Sequence, residues 1–278
     1  MNTEYSGIIC GDSDIILQKM LVQGVKVDLV LTDPPYNLNK DFGNNSDCLS
    51  LDEFLDVSRK RIALCRDILL PSGSLIWFGI HHYIGFIQTI MYEAGLNYRR
   101  MNIWYYENGF SRLTTAPLTQ YEPFLWFSKS PKKWTYNVDD VRVPYKSTER
   151  LKSPVFYKNS KGERVKWEPN PLGAMRGDVW AFPTLAGKLY QDEKTPHPTQ
   201  KPEALIMEII KAFCPKNSDG YYDGVILDPF HGSGTLGVCC EKLNKQGHNI
   251  RWIGIELEKR WCDIAKERLK RINTIKSE

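Results

Sequence analysis

Apolar residues recur along the chain with two periods that alternate. Residues 27–32, most of them apolar, are typical of a buried strand, and residues 51–69 carry apolar side chains at helical spacing. The alternation continues to residue 128 and resumes after Pro202. It predicts further strands at 74–79, 98–105, 123–128, 225–227 and 251–255, and further helices at 83–94, 203–213, 235–243 and 259–272. Strands that alternate with helices indicate an α/β fold with a doubly wound, mostly parallel sheet.

The periodicity disappears between residues 129 and 196. This segment is rich in Pro, Lys and aromatic residues, and it far exceeds the ~12–15 residues at which a loop without secondary structure becomes unusual. Residues 129–178 contain twelve Lys or Arg and six Asp or Glu, which is a net charge of +6. The whole chain has a net charge of only +4, so the positive charge is concentrated in this segment. Aromatic residues are interleaved with these charges: Trp134, Tyr136, Tyr145, Tyr157 and Trp167. The pattern favours a surface that meets a polyanion, and a solvated face is the alternative interpretation.

One α/β domain with an insertion follows from this arrangement. With 278 residues, of which 42% are hydrophobic, the chain can bury a sizeable core. We expect residues 1–128 to form the first half of the domain, residues 129–196 the insertion, and residues 197–278 the second half.

Composition narrows the cellular setting and the cofactor classes. No run approaches the ~18 consecutive apolar residues of a membrane span, and the first residues lack a basic segment followed by an apolar one. We therefore expect a soluble, cytoplasmic protein without a membrane partner. The seven cysteines include no Cys-x-x-Cys pair, which argues against a disulfide framework or a zinc site. The paired His81-His82 is more typical of a helix cap than of a metal site, so no metal is predicted.

Asp33, Pro34, Pro35 and Tyr36 directly follow the first predicted strand. Ligands in open α/β sheets bind at the carboxyl ends of the strands. A carboxylate, two stiff prolines and an aromatic ring suit a planar base with an amino group: Asp33 and the Pro34 carbonyl would accept its N–H bonds, and Tyr36 would stack on its face. The alternative is a rigid turn, because Asp and Pro are both common in turns.

A glycine-rich turn follows the predicted strand 225–227 and opens a helix. It runs from Asp228 through Phe230, Gly232, Ser233 and Gly234. The turn lacks the Lys of a phosphate-binding Walker loop and the third glycine of a dinucleotide site. A plain tight turn is the alternative.

A second acidic residue, Glu256, ends the next predicted strand, where it suits ribose hydroxyls, and Asp228 suits a cationic amine. A ligand with an ammonium group, a ribose and no phosphate describes S-adenosylmethionine.

Three further residues are candidates for the same ligand. His197 and Lys201 lie in His-Pro-Thr-Gln-Lys-Pro and would donate to the carboxylate of the methionine moiety. The alternative for this motif is a proline-bounded start of the next helix. Asp12 would contribute to the adenine side of the pocket, with a helix N-cap as its alternative.

Taken in this order, the motifs resemble those of the β-group amino-methyltransferases, which act on exocyclic nitrogens in DNA. The resemblance covers nearly the whole chain. It implies the seven-stranded methyltransferase sheet, circularly permuted so that the catalytic half comes first, with a target-recognition segment inserted. Gln120-Tyr121-Glu122 stands where many members carry a His-Glu pair, and no role is predicted for this position. The resemblance implies that the target base is held by Asp33, Pro34, Pro35 and Tyr36, and the cofactor by Asp12, His197, Lys201, Asp228, Phe230, Gly232, Ser233, Gly234 and Glu256.

The implied activity is methyl transfer from S-adenosylmethionine to adenine N6 in a short sequence of double-stranded DNA, after the base has flipped out of the helix. Protection against a cognate restriction endonuclease is the commonest role in the group, although solitary regulatory enzymes carry the same motifs. A homodimer is compatible with the resemblance.

Several alternatives remain open from the sequence. Cytosine N4 methylation needs the same chemistry, although Ser more often replaces Asp33 there, and methyltransferases of RNA or protein glutamine commonly have Asn. From other classes, a catalytically silent nucleic-acid-binding module is opposed by the complete catalytic motif. A dinucleotide oxidoreductase is opposed by the missing third glycine.

Overall fold

A computed structural model describes residues 5–38, 47–109, 114–152 and 155–274. The strands are β1 (Gly7–Cys10), β2 (Val27–Thr32), β3 (Leu69–Phe78), β4 (Asn97–Tyr105), β5 (Tyr121–Ser128), β6 (Val155–Lys158), β7 (Arg164–Trp167), β8 (Val179–Ala181), β9 (Val225–Asp228) and β10 (Arg251–Glu256). The α-helices are α1 (Ser13–Val22), α2 (Leu51–Ile68), α3 (Ile84–Glu93), α4 (Glu149–Lys152), α5 (Glu203–Phe213), α6 (Thr235–Asn244) and α7 (Lys259–Thr274). Short 3₁₀ helices span Val138–Val141 and Lys188–Tyr190.

The central sheet has the strand order β1-β10-β9-β2-β3-β5-β4-β8. Its pairs are parallel from β1 to β3 and between β4 and β8, whereas β5 is antiparallel to both β3 and β4. The predicted doubly wound, mostly parallel α/β sheet is therefore confirmed. One detail is corrected: among the described residues the sheet has eight strands rather than seven, because β8 of the insertion pairs with β4.

Helices cover both faces of this sheet. Side chains of α1, α2 and α3 share one core with Val27 and Val30 of β2, and side chains of α5 and α6 share the other with Leu29 and Leu31. Successive side chains of a strand point to opposite faces, so β2 contributes to both cores. Burial on two faces explains why Leu29, Val30 and Leu31 are apolar in succession rather than alternating with polar residues.

Local signals fix where the helices begin and end. Ser50 begins α2 with a capping box, in which its hydroxyl accepts the Glu53 N–H and the Glu53 carboxylate accepts the Ser50 N–H. Asp12 begins α1 by accepting the Ile15 N–H at 3.0 Å. Gly95, with φ of +76°, follows α3 in the left-handed conformation that favours glycine. The N-cap interpretation of Asp12 is therefore confirmed, and it leaves the second carboxylate oxygen available.

The insertion is tied to the rest of the molecule by polar contacts. Asn137 donates to the carbonyls of Lys211 and Cys214 at 2.8 Å, and Arg176 pairs with Glu208 of α5 at 2.8 Å. Strands β6 and β7 form a separate antiparallel ribbon. The division of the chain at residues 128 and 196 stays a prediction.

Candidate active site

The site lies where the strand order reverses. Strands β9 and β2 are neighbours, but the chain continues from β9 to β10 on one side and from β2 to β3 on the other. This reversal opens a crevice at the carboxyl ends of the two strands, where ligands bind in such sheets. Thr32 ends β2 and Asp228 ends β9, and the buried Thr32 hydroxyl donates to Asp228 at 3.0 Å. This bond joins the two motifs that are far apart in the sequence.

A cavity of about 840 Å³, part of it open to solvent, occupies this crevice. A neighbouring cavity of about 460 Å³ shares Asp33, His197 and Phe230 with it. Twelve of the thirteen predicted site residues line one or both cavities: Asp12, Asp33, Pro34, Pro35, Tyr36, His197, Lys201, Asp228, Phe230, Gly232, Ser233 and Glu256.

Gly234 is the thirteenth, and its conformation gives it a structural task. Its φ is +84°, and a Cβ atom there would lie 2.6 Å from the Cβ of Ala265 on α7. Gly232 has φ of +51°, and a Cβ there would lie 2.9 Å from Nε2 of His197. Both positions need glycine, because the turn is left-handed and other groups approach it closely.

Arg268 of α7 holds the glycine turn from behind, and sequence reasoning missed it. Its guanidinium donates to the Ser233 carbonyl at 2.9 Å and to the Thr235 hydroxyl at 3.2 Å. It also pairs with Glu203 of α5 at 2.8 Å. Arginines on an amphipathic helix are usually solvated, so only its position on the apolar side of α7 gives a hint of this role.

The carboxylates of Asp228 and Glu256 can accept further hydrogen bonds from the cavity. Glu256 accepts the Gly232 N–H and the Glu258 N–H, both at 2.8 Å. Burial raises the pKa of Glu256, although these two bonds oppose the rise. Asp228 accepts the Phe230 N–H at 3.1 Å in addition to Thr32. A carboxylate has about four lone-pair positions, so each can accept further bonds from a ligand.

Aromatic groups enclose the cavity. The Arg61 guanidinium of α2 lies 4.8 Å from the centre of the Phe230 ring, and Trp261 packs edge-on against His197 with ring centres 4.7 Å apart. Burial lowers the pKa of His197 to about 4, so the imidazole is neutral at neutral pH. His197 can thus offer a hydrogen bond to a ligand carboxylate as a neutral imidazole. Arg61 and Trp261 line the cavity without having been predicted.

The Asp33 carboxylate is the centre of a buried polar cluster. One oxygen accepts Lys201 Nζ at 2.6 Å, and the other accepts the Tyr36 hydroxyl. Glu122 of β5 lies 3.1 Å from Lys201 Nζ and 3.2 Å from the Tyr36 hydroxyl. Lys201 therefore contacts two carboxylates, which differs from its predicted task of meeting the cofactor carboxylate. Glu122, for which no role was predicted, belongs to the site.

Burial and charge act against each other in this cluster. Burial raises the pKa of Asp33 to about 6, with Glu122 adding to the rise and Lys201 opposing it. For Lys201, burial lowers the pKa, but the two carboxylates outweigh burial and the pKa is raised. Burial and the same carboxylates raise the pKa of Tyr36 well above its usual value, so the phenol stays protonated and donates.

An open cleft of about 1430 Å³, including space open to solvent, lies on the other side of the cluster. Tyr36, Glu122 and Lys201 form part of its wall, together with the aromatic rings of Trp104 and Tyr106. The Asp33 cluster thus lies between the cavity and a wide cleft with aromatic walls.

Three further findings concern metals, membranes and the insertion. Across the parts of the chain that the structure describes, no group of three or more His, Cys, Asp or Glu side chains could hold a metal ion. No described helix is both long and apolar enough to cross a membrane. In the insertion, Arg142 pairs with Asp139 and Arg176 pairs with Glu208.

Comparison with known proteins places this geometry in a family. A family model described as DNA methylase matches residues 27–267. The Type II methyltransferase M.HpaI of Haemophilus parainfluenzae is 34% identical over 94% of this chain and 73% of its own length. The DNA adenine methyltransferase YhdJ of Escherichia coli K12 is 30% identical over 96% of this chain and 83% of its own length.

Among solved structures, the complex of M1.HpyAVI with S-adenosylmethionine superposes with a TM-score of 0.65 and 26% identity. The match covers 94% of this chain and 98% of that one. The chain belongs to the N6/N4 family of DNA methylases.

Proposed function

We propose that this protein transfers a methyl group from S-adenosylmethionine to the N6 amine of adenine in double-stranded DNA. The observation that carries the proposal is the Asp33 carboxylate, which lines the cavity and binds Tyr36 and Lys201 of the cleft wall. A carboxylate there can accept N–H bonds from an amine on the cleft side while the methyl donor lies on the cavity side. The name of YhdJ, a DNA adenine methyltransferase, supports the choice of base.

The residues of the cavity fit S-adenosylmethionine. Asp228 would accept bonds from its ammonium group, Glu256 from its ribose hydroxyls and Asp12 from its adenine amine, while Phe230 offers an aromatic face. The glycine turn places backbone at the cavity wall and carries no lysine for phosphates. When bound, S-adenosylmethionine supplies an electrophilic methyl group on a sulfonium sulfur.

Asp33 prepares the attacking nitrogen. The lone pair of an exocyclic amine is conjugated into the ring, which makes the nitrogen a poor nucleophile. If Asp33 and the Pro34 carbonyl accept its two N–H bonds, a pyramidal nitrogen is favoured and its lone pair can point at the methyl group. The N–C bond then forms as the C–S bond breaks, and the sulfur keeps the electron pair. The nitrogen loses one proton, which passes to the Asp33 carboxylate and from there to solvent. Orientation of the two reactants supplies much of the rate.

Tyr36 provides the surface on which the base rests. Its hydroxyl is bound by Asp33 and Glu122, which holds the ring in place beside the cleft. A base inside a duplex cannot reach this position, so it must flip out at a cost on the order of a few kcal/mol. Stacking on Tyr36 would offset part of that cost.

The alternatives differ in the acceptor rather than in the chemistry. Cytosine N4 could be oriented by the same contacts, and Asp33 rather than Ser at this position favours adenine. The basic, aromatic insertion favours duplex DNA over RNA or a protein glutamine. A cognate restriction endonuclease acting on the same site and a homodimer remain predictions.

The test is analysis of nucleosides after methylation in vitro. Purified protein is incubated with S-adenosylmethionine labelled in its methyl group and either mixed-sequence duplex DNA or, in a parallel reaction, RNA. The digested nucleic acids are analysed by mass spectrometry. We expect labelled N6-methyldeoxyadenosine in the wild type and none in Asp33→Ala. Label in N4-methyldeoxycytidine, or label in RNA but not in DNA, would overturn the proposal.

A further inference from the structure

We propose that Glu122 is a positioning residue of the reaction: it holds the Lys201 ammonium and the Tyr36 hydroxyl against Asp33, so that Asp33 is correctly oriented toward the target amine. The inference rests on the proposed function, because Asp33 is the group that would accept the target amine. It assigns a task to a position where the family resemblance predicted none.

The geometry ties Glu122 to both neighbours of Asp33. A single oxygen of Glu122 lies 3.1 Å from Lys201 Nζ and 3.2 Å from the Tyr36 hydroxyl. Lys201 is only 6% exposed, and its Nζ lies 2.6 Å from Asp33. A buried ammonium with two carboxylate partners has little freedom to move. Glu122 is thus the third point that fixes Lys201 and Tyr36 relative to Asp33.

The charges of the cluster suit the reaction. With both carboxylates ionised, Asp33, Glu122 and Lys201 together carry one negative charge. Positive charge develops on the amine as the methyl group arrives, and a fixed negative charge in a buried site stabilises it. An Asp33–Lys201 pair without Glu122 would be neutral and would lose this stabilisation.

The groups that face Asp33 come from three parts of the fold. Lys201 precedes α5, Glu122 lies on β5, and Tyr36 follows β2. Two further titratable groups line the surrounding space and are neutral near pH 7. Burial raises the pKa of Tyr106 to about 12, and burial lowers that of His197 to about 4.

Glu122 and Lys201 affect Asp33 in opposite directions. Lys201 lowers the pKa of Asp33, whereas Glu122 raises it. Removing each charge should therefore move the acidic limb of the pH–rate profile in opposite directions. A residue with a merely structural role would lower the rate without such a shift.

The experiment measures single-turnover methylation of duplex DNA against pH, with saturating S-adenosylmethionine and DNA. In Glu122→Gln, we expect a plateau rate reduced by about 10- to 100-fold and an acidic limb moved to lower pH. In Lys201→Met, we expect the limb to move to higher pH. Glu122→Asp keeps the charge and should keep the limb where the wild type has it. Glu267→Gln, on the exposed face of α7, is the matched control.

The outcomes separate the inference from the proposed function. The inference is overturned if the acidic limb stays at the wild-type pH in both Glu122→Gln and Lys201→Met, although both variants still bind S-adenosylmethionine. In that case the wild type still methylates adenine, and the proposed function stands. A wild type that forms no N6-methyladenine would instead overturn the proposed function, and the inference with it.

Discussion

At the residue scale, the proposed chemistry depends on one carboxylate, Asp33, which is closely surrounded by other polar groups. Asp33 already binds Lys201 and Tyr36, yet a carboxylate has about four lone-pair positions, so capacity for an amine remains. The sequence predicted Asp33 and Tyr36 because they directly follow an apolar strand. It did not predict that Glu122 contacts Tyr36 and Lys201, because Glu122 lies on β5 and only the folded sheet brings it near them.

Changing Asp33 to Ala should remove methyl transfer and leave cofactor binding largely intact. The loss should be at least about 100-fold in single-turnover rate, the usual effect of removing one group that stabilises developing charge. Affinity for S-adenosylmethionine, measured by calorimetry, should change little, because Asp228 and Glu256 lie in the other half of the site. A variant that keeps substantial activity would show that another group orients the amine.

The wild-type rate should fall as the pH decreases through about 6. Burial raises the pKa of Asp33 to about 6, so below this pH the carboxyl group is protonated and accepts the amine poorly. Above it the carboxylate is ionised and the rate should be level. Single-turnover rates between pH 5 and pH 8 test this, and an acidic limb near pH 4 would mean that Asp33 titrates as an exposed carboxylate.

At the element scale, the helices and longer strands were predictable because they carry strong periodic patterns. Strand β1 was not predicted, and helix α1 entered only through the N-cap alternative for Asp12. Strand β1 has only four residues and is partly exposed, which leaves a weak pattern. Strand β8 was also missed, because three residues give no period and its pairing with β4 depends on the course of the insertion. Short elements of this kind are defined by their neighbours rather than by their own sequence.

The contact between α7 and the glycine turn should be important for stability. Arg268→Ala leaves Glu203 in a mostly buried position with Lys242 as its remaining ion-pair partner. We expect a loss of about 2–4 kcal/mol in the free energy of unfolding, because breaking a buried ion pair leaves one charge without its partner. Binding of S-adenosylmethionine should also weaken. Urea unfolding measures the first. Arg271→Ala, an exposed change on the same helix, should stay within about 0.5 kcal/mol of the wild type.

The glycine turn itself gives a second prediction at this scale. Gly234→Ala places a Cβ 2.6 Å from Ala265 in a backbone with positive φ, so it should weaken S-adenosylmethionine binding and destabilise the protein. Gly85→Ala is the matched control, because nothing lies within 4 Å of the added Cβ in α3 and helices favour Ala. Equal effects of the two changes would mean that the turn tolerates a side chain.

At the scale of the whole molecule, the basic residues are concentrated in the insertion, and we expect DNA to bind there. One face of the β6–β7 ribbon carries Phe156, Lys158, Arg164 and Lys166, which are all exposed. On the other face, Trp167 packs edge-on against Tyr145. The sequence predicted that this segment is basic and aromatic, but only the strand register shows which cations share a face.

Changing Lys158, Arg164 and Lys166 together to Ala should weaken DNA binding and make it less dependent on salt. The slope of log affinity against log salt concentration should fall by about 0.9 for each phosphate contact that is lost. Fluorescence anisotropy with labelled duplex DNA measures both quantities. A triple change of Lys266, Lys270 and Arg271 on α7 is the comparison, and an equal reduction in slope there would argue against a specific role for the ribbon.

The most direct test of the central claim is single-molecule sequencing with modified-base detection on DNA from cells that express this protein, beside cells that express Asp33→Ala. We predict N6-methyladenine confined to one short sequence motif in the first DNA and absent from the second. A mark on cytosine N4, or no mark in cells where the folded protein accumulates, would contradict the account.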